Sequence, residues 1–138
     1  MRGAAAVEFA VILPLLLMIL FGILEFGRIL YVNQALSWAA REGARVAALP
    51  GTTNTIVSDV VNEKLTESGV PVGTIVLRNE DPDKDWIITD LTNTTQISPN
   101  DPVKVIISVN YEDVAYVSGF IKTLQGKKLS GVAVMRKS

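Results

Sequence analysis

The stretch MRGAAAVEFAVILPLLLMILFGILEF (residues 1–26) decides the fold, because it is apolar enough to cross a membrane. No residue from Phe9 to Leu24 is charged, and extending the run back to Ala4 adds Glu8 as its single charge. A helix of this length, rising about 1.5 Å per residue, spans the ~30 Å hydrocarbon core of a bilayer. We therefore predict a membrane-spanning helix over residues 4–24.

Glu8 is the unexpected residue in this stretch. A carboxylate costs about 2.5–3.5 kcal/mol at the centre of a spanning helix, and less near an end, where it can snorkel to the headgroups. A simple anchor has no use for it. We therefore predict that Glu8 is functional and that its partner is a cation.

The helical pattern does not stop where the apolar stretch ends. It continues to Leu49, where Pro50 and Gly51 end it. Such a helix is roughly 65–70 Å long, so residues 25–49 project beyond the membrane. The apolar run is longer than the core of a secretory signal peptide, which has about 7–15 residues. Pro14 removes one backbone hydrogen bond and predicts a kink.

The projecting half of the helix carries small residues spaced by four. One row contains Ala35, Ala39, Gly43 and Ala47, and a second row contains Ala40, Ala44 and Ala48. Small side chains let another helix or a sheet approach closely. The partner of this face is the chain's own C-terminal domain, another subunit, or both at different points along the helix.

Two charged residues follow the apolar stretch directly. Glu25 and Arg28 are three residues apart in the sequence, which places them on one side of a helix. We predict an ion pair between them at the outer membrane boundary. If the helix packs in a bundle, both charges face neighbouring helices instead.

The remaining residues, 50–138, predict a small α+β domain. A second helix is expected over residues 55–68, because its apolar residues recur at helical spacing. Strands are expected over residues 72–77, 85–91, 103–111 and 129–136, with a short helical piece around 117–124. The fold class is therefore α+β, with a long N-terminal helix and a short helix packed on an antiparallel sheet of three or four strands.

Composition argues against catalysis and against nucleic-acid binding. The 138 residues include no histidine and no cysteine, which removes the commonest general base and all thiolate chemistry. The 13 basic and 14 acidic residues give a net charge of −1, without a basic stripe. We expect no enzyme activity, no cofactor and no nucleic-acid partner.

Two short motifs partly match known sites, one for calcium binding and one for glycosylation. Asp81, Asp83 and Asp85 alternate like the start of a calcium-binding loop, but Trp86 and Thr92 stand where such a loop needs glycine and glutamate. A solvated turn without metal is therefore the favoured interpretation. The triplet NTT at residues 93–95 matches a glycosylation acceptor, although such triplets also arise by chance.

Residues 2–48 resemble the N-terminus of the TadE-like pseudopilins of the tight-adherence (Tad, or Flp) pilus system. The motifs that carry the resemblance are Arg2-Gly3, Ala6-Val7-Glu8-Phe9, Pro14, Gly22, Glu25-Phe26-Gly27-Arg28 and the run AAREGAR at 39–45. Residues 50–138 resemble the family only in layout. The resemblance implies a pilin-like fold.

The resemblance also implies a processing site. In this family a prepilin peptidase cuts after a glycine on the cytoplasmic side of the membrane, and the matching bond here joins Gly3 to Ala4. Residues 1–3 would then be a leader, and Glu8 would become the fifth residue of the mature chain. Pilins use a glutamate there, followed here by Phe9, as an assembly contact with the free amino terminus of a neighbouring subunit.

The function implied by the resemblance is that of a minor pilin, a structural and assembly component of an adhesive Tad-type pilus. The expected partners are other pilins, the prepilin peptidase, the inner-membrane assembly platform and membrane lipid. The expected location is the cytoplasmic membrane, crossed once with the N-terminus inside and residues 50–138 outside, and then the extracellular pilus. A filament-forming pilin subunit and a membrane-anchored extracytoplasmic binding module are the alternatives.

Overall fold

The computed structural model of the protein describes residues 2–81, 83, 87–92, 96–116 and 125–138. The fold is α+β, which confirms the prediction. In chain order, the elements within these ranges are α1 (Arg2–Ala47), α2 (Asn54–Glu67), β1 (Thr74–Asn79), β2 (Pro102–Asn110), α3 (Tyr111–Val114) and β3 (Lys128–Arg136). The helical piece predicted around residues 117–124 lies outside the described residues.

Helix α1 is continuous over 46 residues and passes through Pro14 without a break. At about 1.5 Å per residue it is roughly 70 Å long. It is long and apolar enough to cross a membrane, and its most apolar window is not buried in the fold. The helix therefore has two halves, an exposed N-terminal half and a C-terminal half that belongs to the core.

The C-terminal end of α1 is held by the last residues of the chain. The Lys137 ammonium group donates hydrogen bonds to the backbone carbonyl groups of Ala47, at 3.0 Å, and Leu49, at 2.8 Å. The backbone amide of Ser138 donates to the carbonyl group of Ala48 at 2.8 Å. A cation at the end of a helix satisfies carbonyl groups that have no partner inside the helix and interacts favourably with the helix dipole.

Helix α2 begins where the sequence provides a cap. The side chain of Thr53 accepts a hydrogen bond from the backbone amide of Ile56, which is the usual role of threonine at this position. The buried residues Val57, Val61 and Leu65 are spaced by four and form the face that packs on α1. Gly69, with φ of +62°, follows the helix in the left-handed conformation that glycine adopts most readily.

The sheet has the order β1-β2-β3, and both pairs of strands are antiparallel. The alternating residues Val103, Val105, Ile107 and Val109 of the central strand are buried on the side that the helices cover. Ile106 lies on the opposite face, paired with Val76 and Val132. Tyr111, predicted as the last strand residue, is instead the first residue of α3.

Two glycines let α1 approach its neighbours closely. A Cβ atom at Gly43 would lie 2.6 Å from a methyl carbon of Val61 in α2. A Cβ atom at Gly131 in β3 would overlap the backbone of Leu36 in α1. The C-terminal half of α1 is therefore in direct contact with both α2 and the sheet.

The strand predicted over residues 85–91 is wrong for its described part. Residues 87–91 form only an isolated bridge between Ile87 and Arg78. Side chains take the place of a neighbouring strand here, since the Gln96 side-chain oxygen accepts from the amides of Thr89 and Asp90, and Asn54 accepts from Leu91. Residues 85 and 86 lie outside the described residues.

Candidate functional site

The first candidate surface is the N-terminal half of α1. Every residue from Gly3 to Leu24 is exposed except Leu13 and Gly22, which are partly buried. Phe9 and Val11 are 62% and 72% exposed. A continuous apolar surface of this size is far larger than a soluble monomer normally exposes, so it must lie in lipid or against another protein.

The predicted processing and assembly residues lie at the start of this surface. Gly3 and Ala4 are in the first turn of α1, and both are exposed. Glu8 is one turn further along and is exposed as well. Within the part of the chain that the structure describes, its carboxylate has no hydrogen bond or ion pair. The isolated chain therefore leaves both the Gly3–Ala4 bond and the Glu8 carboxylate accessible to a partner.

The two halves of α1 meet at a buried carboxylate. Glu25 is only 1% exposed, although it follows directly on the exposed apolar run. Its carboxylate accepts a hydrogen bond of 2.7 Å from the hydroxyl group of Tyr111 and one of 3.1 Å from the backbone amide of Tyr116. Burial, followed by the hydrogen bond to Glu25 and its charge, raises the pKa of Tyr111 to about 12. This contact joins α1 to the segment that follows β2.

Arg28 lies one turn after Glu25 and also binds the C-terminal domain. Its Nε atom donates to the carbonyl group of Val114 at 3.1 Å, and its Nη2 atom donates to that of Gly69 at 3.3 Å. The guanidinium carbon lies 5.7 Å from the ring centre of Tyr31 and 5.2 Å from that of Tyr116. These are cation–π distances.

Glu25 and Arg28 each bind the domain through these contacts, and the ion pair predicted between them stays a prediction. The turn that carries both residues packs against α3 and the end of α2 rather than facing open solvent, so each charged group has partners from the domain. We name the group of Glu25, Arg28, Tyr31, Tyr111 and Tyr116 the collar, because it lies where the exposed half of α1 enters the domain.

The predicted small-residue face packs inside the chain. Its seven members are all buried: Ala35, Ala39, Gly43 and Ala47 in one row, and Ala40, Ala44 and Ala48 in the other. Their neighbours include Val57 and Val61 of α2 and Val105 of β2, which surround Gly43. Of the two partners that the sequence left open, the chain's own domain is the one observed.

The opposite face of the same helix stays open. Trp38 is 73% exposed. It lies in an open groove of about 480 Å³ whose other lining residues include Tyr31 and Arg41 of α1, Lys64 and Glu67 of α2, and Met135 of β3. Trp38 is not among the site residues predicted from the sequence. Its position between Gln34 and Arg41, on the polar side of the helix, nevertheless indicates an exposed aromatic side chain.

The acidic turn shows no metal geometry in its described part. The Asp83 amide donates to the Asp81 carboxylate at 2.9 Å, and the Asp81 amide donates to Asn79 at 3.0 Å, so these side chains hold the turn. No group of three or more histidine, cysteine, aspartate or glutamate side chains suited to a metal ion occurs among the described residues. Asp85 and the NTT triplet at 93–95 lie outside those residues.

Together, these features define a class: an α+β domain carried on one helix that indicates a single-pass membrane anchor. Residues 3–45, which cover nearly all of α1, match the family model described as TadE-like protein. The match covers about a third of the chain, so it shows which family α1 is similar to. The comparisons with curated proteins and with solved structures found no match.

Proposed function

We propose that this protein is a minor pilin, a structural and assembly component of a Tad-type adhesive pilus, and not an enzyme. The observation that carries the proposal is the exposed apolar half of α1, which bears one unpaired carboxylate near its start. The match of residues 3–45 to the TadE-like family supports it. In this function the apolar half lies in the membrane before assembly and packs against other pilins afterwards.

Processing would convert the start of α1 into an assembly contact. A prepilin peptidase on the cytoplasmic side would cut between Gly3 and Ala4, both of which are exposed in the first turn of the helix. Ala4 would then carry a free ammonium group, and Glu8 would be the fifth residue. The cut releases residues 1–3 and leaves the membrane anchor intact.

Glu8 would pair with the amino terminus of a neighbouring subunit. A carboxylate in an apolar environment loses its hydration, and a cation within hydrogen-bonding distance offsets that loss. Within the part of the chain that the structure describes, Glu8 has no partner of its own, so the pairing group has to come from outside. In the proposed function the N-terminus lies on the cytoplasmic side of the membrane, where the peptidase would cut, and residues 50–138 lie outside.

Intact-mass measurement tests the processing step. We expect the chain co-expressed with an active prepilin peptidase to lose residues 1–3, and the chain co-expressed with an inactivated peptidase to keep them. The variant Gly3→Val is the matched control, because it should insert in the membrane and remain uncut. An unshortened wild-type chain beside an active peptidase would refute the pilin assignment and favour the membrane-anchored binding module.

A second experiment separates anchoring from assembly. Glu8→Gln keeps the shape of the side chain and removes its charge. We expect normal membrane insertion. Incorporation into pili should fall at least ten-fold, because a buried charge pair is lost. Glu63→Gln in α2 is the control, because Glu63 is exposed and does not line the groove around Trp38. Equal incorporation of the two variants would remove the assembly role of Glu8.

A further inference from the structure

We propose that Arg28, Tyr31 and Tyr116 form a binding site for the phosphate group of an anionic phospholipid. The bound headgroup would fix the depth of α1 in the membrane. This inference rests on the membrane insertion that is part of the proposed function, and it adds a ligand that the pilin assignment does not require.

The position of Arg28 along α1 places it in the headgroup layer. The uncharged run ends at Leu24, and Arg28 is four residues later, about 6 Å along the helix axis. The polar layer on each side of the hydrocarbon core is about 5–8 Å thick, from total and core thicknesses of ~40–45 and ~30 Å. A helix that spans the core with residues 4–24 therefore holds Arg28 at the level of the lipid phosphates.

The chemistry of the site suits a phosphate group. A guanidinium group has five N–H donors in a planar fork that matches phosphate oxygens. In the part of the chain that the structure describes, Arg28 uses Nε and Nη2 for the carbonyl groups of Val114 and Gly69, and Nη1 has no partner there. Arg28 is also partly buried, so its position is fixed before any lipid binds.

The two rings beside Arg28 are typical of a membrane interface. Tyr31 and Tyr116 are 47% and 69% exposed and flank the guanidinium group. Tyrosine is enriched at the level of the headgroups, because its ring is apolar and its hydroxyl group is polar. The Tyr31 hydroxyl group donates to the carbonyl group of Ser68 at 2.8 Å, which fixes that ring.

The nearby carboxylates have their own donors. Glu25 is buried and accepts hydrogen bonds from Tyr111 and Tyr116. Glu112 accepts from the backbone amide of Gly126, and Asp113 accepts from the Asn110 side chain. Their hydrogen bonds reduce their competition with a phosphate group for the free donors of Arg28.

Lipid retention by the full chain tests the site. The chain would be extracted in mild detergent, loaded with phosphatidylglycerol or with a phosphate-free galactolipid, and the bound lipid counted by native mass spectrometry. A basic residue near an anionic surface contributes about 1 kcal/mol, which is about five-fold in affinity. We expect about five-fold more phosphatidylglycerol than galactolipid on the wild type, and this preference to disappear in Arg28→Gln.

Arg41→Gln is the matched control, because Arg41 is an exposed arginine about 20 Å further along the same helix. The inference is overturned if the wild type shows no preference, if Arg28→Gln keeps it, or if Arg41→Gln loses it equally. The wild-type preference does not depend on whether Arg28→Gln folds. Displacement of the lipid by about 10 mM inorganic phosphate would assign the site to free phosphate and also overturn the inference.

Flotation with phosphatidylglycerol vesicles separates this inference from the proposed function. A chain that floats but lacks the Arg28-dependent preference refutes the lipid site and leaves the pilin assignment standing. A chain that does not float with vesicles of any composition refutes membrane insertion, and with it both proposals.

Discussion

Replacing Tyr111 by phenylalanine removes one hydroxyl group from the collar and little else. That hydroxyl group donates to the Glu25 carboxylate at 2.7 Å, and both side chains are almost completely buried. The ring remains, so the packing around it is kept. The variant therefore isolates the hydrogen bond that joins α1 to the domain.

The expected loss at pH 7 is about 2 kcal/mol in the free energy of unfolding. A hydrogen bond to a charged group contributes about 1.5–3 kcal/mol, and a buried carboxylate deprived of a donor is costly. In the variant, Glu25 still accepts the hydrogen bond from the backbone amide of Tyr116. The loss in the free energy of unfolding should therefore not exceed this range.

The same hydrogen bond predicts a pH dependence. The pKa of Tyr111 is raised to about 12 in the folded protein, whereas an unfolded tyrosine has a pKa of ~10. Between these values the folded state binds more protons, so stability falls as the pH rises. The contribution is fully present below about pH 10, and about 2–3 kcal/mol is lost by about pH 12. Phenylalanine cannot titrate, so the difference between wild type and variant should shrink towards zero over that range.

Urea unfolding of the full chain in detergent micelles, followed by near-ultraviolet circular dichroism, measures both effects. Tyr31→Phe is the matched control. Tyr31 is about half exposed and donates to the carbonyl group of Ser68, so its loss should cost only about 0.5–1 kcal/mol. If Tyr111→Phe costs no more than Tyr31→Phe, or if its deficit is unchanged from about pH 10 to 12, the Glu25–Tyr111 contact does not stabilise the fold as reasoned here.

Four further substitutions test other parts of the structure. In thermal unfolding, Gly43→Val should lower the free energy of unfolding by about 1–3 kcal/mol, because the valine side chain would overlap Val61. Gly27→Ala is its control: a Cβ atom at Gly27 has open space around it, so this variant should leave the free energy of unfolding unchanged or raise it by up to ~1 kcal/mol. Lys137→Met should cost about 1–2 kcal/mol in urea unfolding, because it leaves carbonyl groups at the end of α1 without their donor; an unchanged midpoint would exclude this cap. Trp38→Ala should change the free energy of unfolding by less than about 0.5 kcal/mol, because Trp38 is exposed. It should nevertheless reduce incorporation into pili, as counted by immunolabelling. Normal incorporation would show that the groove around Trp38 is not an assembly surface.

Much of the fold follows from local pattern. The α1 helix is predicted by its apolar run and by the Pro50-Gly51 stop, and α2 by apolar residues at helical spacing. The strand β2 is predicted by strict alternation, because one face of the sheet is buried. The strand prediction failed over residues 87–91 because the side chains of Gln96, a few residues away, and of Asn54, 37 residues away from Leu91, bind its backbone amides in place of a strand.

The candidate site also has one part that the sequence predicts and one part that only the tertiary structure reveals. The apolar surface and Glu8 are sequence features, since local composition alone reveals them, and the Gly3–Ala4 bond is implied by the resemblance of residues 2–48 to the TadE-like family. The collar is different, because Glu25 and its partner Tyr111 are 86 residues apart in the chain. Sequence spacing could propose only the nearby Arg28 as a partner, since residues three or four apart on a helix are the only contacts it predicts.

What the sequence determined by itself was therefore the long helix, its apolar N-terminal half and the single carboxylate, Glu8, within that half. These depend on the chemistry of successive residues along one element. Tertiary structure alone decided that the small-residue face of α1 is buried in its own domain, that Trp38 is left outside, and that Glu25 is buried under Tyr111. Each of these depends on which face of a helix meets which strand, and that is fixed by close packing between segments distant in the chain.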